Sequence, residues 1–266
     1  MNKRPLTAEE ALVLGDDFDV GGGIIVRQPT ISEVIKCGES SYYKVVSALT
    51  AISSDCKASL YDLGLDWCEI SDFEMFMLST RGLTKDDTWL LLGDEIDLSA
   101  FDMYRSDETG QAELRSPDGR YVIDVQVQRR MSEFLCRMHQ IIKKPEFPAN
   151  DFAREMLLEE SRMERDNNSG RTARPVLPSL ISFVANVSGS KYDYETCKQL
   201  KYSMFMDAVA RLQIIGNATA LRNACYSGMI DTSKIDKSEL NMMREITLSN
   251  DTQVVHQSTN VNTIKK

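Results

Sequence analysis

Histidine is nearly absent from this sequence: of 266 residues only His139 and His256 are histidine. Two so far apart cannot furnish an HExxH pair or a three-histidine zinc set, so no metal site is expected. No GxxxxGK[ST] occurs, and Gly21-Gly22-Gly23 runs into the β-rich Ile24-Ile25-Val26. A phosphate cradle needs a helix start behind its glycines, so these three read as a turn and no cofactor is expected. Asp16, Asp17 and Asp19 have the look of a calcium loop, but the twelfth position from Asp17 is Gln28, where a bidentate Glu is required; a solvated turn is the reading. The cysteines at 37, 56, 68, 136, 197 and 225 are widely spaced and form no CxxC, which fits reduced thiols inside a cell rather than a disulfide framework. Cys136 and His139 stand three apart on one helical pattern, the minimum for a thiolate pair. No orienting third residue accompanies them, and His139 reads as a surface or half-buried helix residue. No catalytic residue is therefore assigned.

Long apolar runs are also missing. Nothing approaches the roughly 18 uninterrupted apolar residues of a membrane span. The N-terminus, MNKRPLTAEE, turns acidic where a signal peptide turns apolar. A cytoplasmic protein without membrane contact is expected. What the chain has is 42% apolar residues, enough for a sizeable core, and a net charge of −9. The charge is uneven: residues 1–126 carry −13 and residues 127–266 carry +4. In the second half Arg129, Arg130, Lys143 and Lys144 alternate with Glu133, Glu146, Glu155 and Glu159, the pattern of a solvated helix face. Nucleic-acid binding rests on uncompensated Lys and Arg, so no nucleic-acid partner is expected.

Helix signals dominate. Thr7-Ala8-Glu9-Glu10, Thr30-Ile31-Ser32-Glu33 and Ser71-Asp72-Phe73-Glu74 are capping boxes, opening helices to Leu14, to about Gly38 and to about Arg81. Tyr42, Val45, Val46, Leu49 and Ile52 share one face of a 3.6-residue period, and Ser54 can cap a short helix toward Gly64. Ile24-Ile25-Val26-Arg27 reads as a strand. Residues 101–124, with Ser116-Pro117-Asp118-Gly119 as turn chemistry between apolar runs, read as a small antiparallel sheet. Met131, Phe134, Leu135, Met138, Ile141 and Ile142 return to helical spacing, and a more polar helix over 150–166 is expected to pair with them antiparallel. Leu177 to Val187 and a long helix over Tyr202–Tyr226 follow, the latter stopped by Gly228, with one short helix over 234–243. The fold class predicted is mainly α, a helical domain with a small antiparallel β insertion. Its divisions are a segment 1–23, a helical region 24–166 holding the β element, a loop or hinge 167–176, a helical region 177–243 and a flexible tail 244–266.

On the long helix, Met204 and Met206 read as pointing away from the face of Phe205, Ala208, Val209, Leu212 and Ile215. Methionine suits surfaces that adapt to partners, so these two are the candidate partner-binding residues.

Several short words of the chain resemble a phage family: Ile25-Val26-Arg27-Gln28-Pro29-Thr30-Ile31-Ser32-Glu33-Val34-Ile35, Ser54-Asp55-Cys56-Lys57, Ile70-Ser71-Asp72-Phe73-Glu74-Met75-Phe76 and Leu91-Leu92-Gly93-Asp94, then Lys191-Tyr192-Asp193-Tyr194-Glu195-Thr196 and Phe205-Met206-Asp207-Ala208-Val209. The family is that of tail assembly chaperones of long-tailed bacteriophages, and the resemblance spans about residues 24–243. It implies a non-enzymatic protein of the host bacterial cytoplasm that binds the tape-measure protein, or another tail protein, while the tail is built. A structural or accessory virion protein, an enzyme with an unrecognised site and, least favoured, a regulator binding nucleic acid are the alternatives, with self-association open beside them.

The polar run Asn167-Asn168-Ser169-Gly170-Arg171-Thr172 joins small side chains to a trypsin site. Limited digestion is expected to cut first after Arg171, giving fragments of about 171 and 95 residues. First cleavage elsewhere within the body would show that this stretch is packed.

Overall fold

Reciprocal capping sets the first helix. Thr7 Oγ1 accepts from the Glu10 amide at 3.3 Å while Glu10 Oε2 accepts from the Thr7 amide at 3.0 Å, and α1 (Ala8–Leu14) begins there, stopped at Gly15 with φ 72°. The computed structural model describes residues 4–106, 110–168, 175–227 and 235–246. Past Gly15 the chain turns back on itself as the hairpin of β1 (Phe18–Gly21) and β2 (Ile24–Val26), with a bulge between Asp19 and Gly21. Val20, Ile24 and Val26 are fully buried while Ile25 is exposed, the alternation of a one-sided strand pair. This hairpin crosses the line drawn at residue 23, so the N-terminal segment shares its core with the helical region beyond it.

The Thr30 box opens α2 (Ile31–Cys37), and α3 (Glu39–Leu49) begins directly beyond Gly38. Ser54 does not cap the next helix: its buried hydroxyl accepts from the Glu146 amide at 2.9 Å, and a 3-10 turn over Ser53–Cys56 leads into α4 (Lys57–Asp62). Ser71 and Glu74 form the third expected box, starting α5 (Asp72–Thr80), and α6 (Lys85–Leu92) comes next. The sheet expected over 101–124 is present as β3 (Asp102–Arg105), β4 (Ala112–Arg115) and β5 (Val122–Ile123), antiparallel in that order. Asp124 Oδ1 then accepts from the amides of Gln126 and Val127, and α7 (Val125–His139) runs to Gln140, whose φ of 55° ends it. The apolar period suggests helix through Ile142; the left-handed Gln140 breaks it first.

The remaining helices are α8 (Asp151–Asn168), α9 (Leu177–Asn186), α10 (Tyr194–Gln199) and α11 (Tyr202–Tyr226), the last with the ends its sequence implies. The antiparallel α7–α8 pair is not the packing adopted, because α8 lies against α4. The short helix expected over 234–243 is reduced to a 3-10 turn, Lys237–Leu240. Of the proposed loop, residues 167 and 168 complete α8; residues 169–174, Gly228 and most of the tail lie outside the described residues. Mainly α with small antiparallel sheets is the fold class observed, with eleven α-helices among the described residues.

One large core joins α1, both sheets, α2, α3, α5, α6, α7, α9 and the first half of α11. Its seam with α11 is polar as well as apolar. The Tyr202 amide donates to the Pro29 carbonyl at 2.8 Å and the Ile31 amide to Leu200 at 3.1 Å. Gln28, 1% exposed, donates through Nε2 to the carbonyls of Ala11 and Asp16, while its Oε1 accepts from the Ser203 hydroxyl. A second, smaller core of Ala51, Leu60, Trp67, Met75 and Leu158 lies under α8.

The hairpin turn meets β5 at close range. The Val122 amide donates to the Gly22 carbonyl at 3.0 Å, and a Cβ on Gly22 would stand 1.9 Å from the Val122 oxygen at a φ of 62°. Gly22→Ala is therefore expected to cost at least about 2 kcal/mol in a denaturant melt, from left-handed strain and the backbone clash together. Gly82, with open space around it and no positive φ, is the control, and Gly82→Ala should be within about 0.5 kcal/mol of the parent. Equal melts for the two variants would refute this docking of the turn.

Candidate protein-binding surface

The two methionines singled out by the sequence do not share a surface. Met206 is 1% exposed and sits in the main core. The first turns of α11 bury Tyr202, Ser203, Phe205, Met206, Ala208, Val209 and Ala210, so both sides of the helix are enclosed and the face opposite Phe205 is not open. Met204 is half-buried over α1, its sulfur 2.9 Å from the point a Cβ on Gly15 would occupy. Met206 is thus corrected to a core residue, and Met204 to a lid on the turn after α1.

Beside the smaller exposed face of Leu6, Val13 and Leu14 at α1, an open apolar surface lies on α8, a helix whose sequence reads as the more polar of its pair. Asn150 Oδ1 accepts from the Ala153 amide at 2.8 Å and sets the helix start. The inner side of α8 is basic. Arg154 pairs with Asp66 at 2.6 Å and its guanidinium lies 4.8 Å from the Trp67 ring centroid. Arg165 pairs with Asp62 at 2.7 Å, and Arg162 lies 3.5 Å from the same carboxylate and 5.6 Å from the Tyr61 ring. Hydrogen bonds from Arg165 and from Arg154 hold the Asp62 and Asp66 carboxyls below the usual aspartate range. Between these pairs Leu158 inserts beside Trp67, whose Nε1 donates to the Glu146 carbonyl at 3.3 Å.

With its arginines turned inward, α8 presents apolar side chains outward. Phe152, Met156 and Met163 fall at spacings of four and seven, one stripe of a 3.6-residue period. They are 71%, 59% and 56% exposed, and Phe147, just before the helix, is 70% exposed. Phe147, Met156 and Met163, with Ala153 and Leu157, border an open groove of about 820 Å³. Glu159, Glu160 and Glu164 line the same groove, and among the described residues none of them has an ion-pair partner. Contiguous exposed apolar surface rimmed by charge is what interaction sites look like. The signal was present in the sequence: one face of 152–163 carries Phe and Met, the opposite face Arg.

The residues weighed for chemistry are placed differently from expectation or are structurally occupied. His139 is fully buried, not at a helix surface. Its Nδ1 donates to the Leu135 carbonyl at 2.8 Å, since a carbonyl can only accept, and its Nε2 is left to accept from the Tyr42 hydroxyl at 2.8 Å. Tyr202 packs 4.6 Å from the imidazole, centroid to centroid, and its hydroxyl lies 3.0 Å from that of Tyr43. Burial pushes the Tyr43 hydroxyl up to about 12 and those of Tyr42 and Tyr202 well above their ordinary value, so all three stay neutral. Burial also raises the Cys136 thiol, away from the thiolate a nucleophile needs. Asp17 and Asp19 are bound up in the turn, accepting from the amides of Gln28 and Gly21. Among the described residues no cluster of His, Cys, Asp and Glu could hold a metal, no helix is long and apolar enough to cross a membrane, and the six thiols are unpaired.

Residues 167–246 match a family model described as the YomV second domain, a phage-associated domain family. The matched stretch contains α9, α10 and α11. No curated protein and no solved structure matches the chain.

Aspartate placed at the two kinds of methionine separates core from surface. Met206→Asp is expected to lose about 3 kcal/mol or more, because it buries an unpaired carboxylate. Met156→Asp should stay within about 0.5 kcal/mol of the parent. Thermal unfolding followed by circular dichroism decides it, and equal losses at the two sites would mean that the α8 stripe is packed.

Proposed function

We propose that this chain is a non-enzymatic bacteriophage protein that holds another protein during tail assembly, its client being the tape-measure protein. The observation that carries the reading is the outward apolar stripe of α8, Phe152, Met156 and Met163, on a helix whose arginines are spent on its own fold. A helix that turns its basic side inward and exposes its apolar side is arranged for a partner it does not carry itself. The phage-associated match over 167–246 supports a phage setting, and the resemblance of the chain's sequence words to tail assembly chaperones supports the choice of client.

A holding role also accords with the buried polar groups. Among the described residues every buried side-chain nitrogen and oxygen has a hydrogen-bond partner, and His139 and Gln28 are both fastened within the core. A chaperone leaves its client before the structure is complete. Affinity purification of the tagged chain from infected cells is expected to bring down the tape-measure protein, and finished virions are expected to lack the chain. Stoichiometric chain in purified virions would reassign it as a structural or accessory protein; purification without the tape-measure protein would refute the client.

A further inference from the structure

We infer that the α8 groove takes an amphipathic helix with basic flanks, its apolar side on Phe147, Met156, Leu157 and Met163 and its Lys or Arg against Glu159, Glu160 and Glu164. This rests on the protein-holding role proposed for the chain and names the chemistry of the segment held.

Charge selects the occupant. The apolar stripe would accept any hydrophobic ridge, but Glu159, Glu160 and Glu164 rim the groove with no internal cation to neutralise them among the described residues. The arginines that could have done so, Arg154, Arg162 and Arg165, are committed on the far side to Asp62 and Asp66 and to the rings of Trp67 and Tyr61. A ligand that brings positive charge to this rim gains a complementary field, and one that brings negative charge is repelled. Nucleic acid and anionic membrane surfaces are disfavoured on the same ground. So is a second copy of this chain: an isologous pairing of α8 with α8 would set the glutamate rims against each other.

Shape selects a helix. Met156 and Met163 stand two turns apart in one row along α8, the spacing of the i and i+7 anchors of an amphipathic helix laid alongside. Both are methionines, unbranched and able to repack, so the groove reads the class of segment rather than one sequence.

The test uses the full chain and two labelled synthetic peptides of eighteen residues, the length of α8. Both carry Leu at alternating spacings of four and three; one has Lys at the flanking positions and the other Glu. The Lys peptide is expected to bind, with affinity falling as salt rises, and the Glu peptide to bind at least about tenfold more weakly. The double variant M156A/M163A, which keeps every charge and substitutes only exposed side chains, should lose at least about tenfold for the Lys peptide with an unchanged melting curve. Equal binding of both peptides, or undiminished Lys-peptide binding by the double variant, would overturn the inference, the latter showing only the general attraction of an acidic protein. Sedimentation showing a dimer of the parent that M156A/M163A dissociates would overturn it too, giving the groove to a second copy. The chaperone reading fails separately. If the tape-measure protein still co-purifies with M156A/M163A, that reading stands and the groove is wrong; if the Lys peptide binds but the tape-measure protein never co-purifies, the groove stands and the client is wrong.

Discussion

The carboxamide of Gln28 is the point where the beginning and the last third of the chain are made one body. Its Nε2 donates to the carbonyls of Ala11 and Asp16, at the end of α1 and the turn beyond it, and its Oε1 accepts from Ser203 on α11. Its own amide donates to Asp17 Oδ1 and its carbonyl accepts from Lys201 Nζ at 2.6 Å. The Gln28 carboxamide itself is buried and would be costly to leave without partners, and it gathers buried Ala11 and Ser203 together with the more exposed turn at Asp16 and Asp17. The arrangement fixes where α11 enters the core: Tyr202 and Ser203 must lie against residues 28–31, and the bridge between Thr30 and Lys201 is the result. A leucine there would pack as well and remove the donor to the Asp16 carbonyl and the acceptor for Ser203, although Ala11 would still accept from the Gly15 and Asp16 amides.

Held in that place, α11 completes a second buried cluster. Tyr202 lies against His139, which the Tyr42 hydroxyl and the Leu135 carbonyl hold in one tautomer, so α3, α7 and α11 are joined through rings as well as through apolar contacts. These are interactions of specificity more than of strength. Apolar burial supplies the driving force, and the polar groups, satisfied in one arrangement, decide which packing is adopted.

What is legible in the sequence and what is hidden divide along sequence separation. The capping boxes at Thr7, Thr30 and Ser71 are legible because donor and acceptor lie three residues apart. The ends of α11 and the turn at Gly21-Gly22-Gly23 are legible for the same reason, as local rules of period and positive φ. His139 is not, since its partner Tyr42 is 97 positions away and nothing local distinguishes a buried imidazole from an exposed one. Met206 misleads because periodicity shows how many apolar faces a helix has, not how many are covered; α11 has two, and both are enclosed where it enters the core. The candidate surface is hidden by averaging: Arg and Glu together make 150–166 look uniformly polar, whereas their segregation to opposite sides is what exposes the stripe.

That segregation explains why α8 does not turn its apolar side inward. Rotating it by half a turn would bury Phe152, Met156 and Met163, a gain of roughly 1.5–3 kcal/mol for each side chain fully buried. The surface it would meet, however, offers Asp62 and Asp66 and the faces of Tyr61 and Trp67, all of them better matched to guanidinium than to thioether. Leu158 would also leave the pocket beside Trp67 and Leu60. Partly exposed ion pairs contribute little strength individually, on the order of 0–1 kcal/mol, but three arginines paired to two fixed aspartates and stacked on two rings set the rotation of a helix very effectively. Asp62 at the end of α4 and Asp66 in the turn after it thus do more than anchor α8: by claiming the arginines they decide that the side left for a partner carries apolar and negative side chains and no cation of its own.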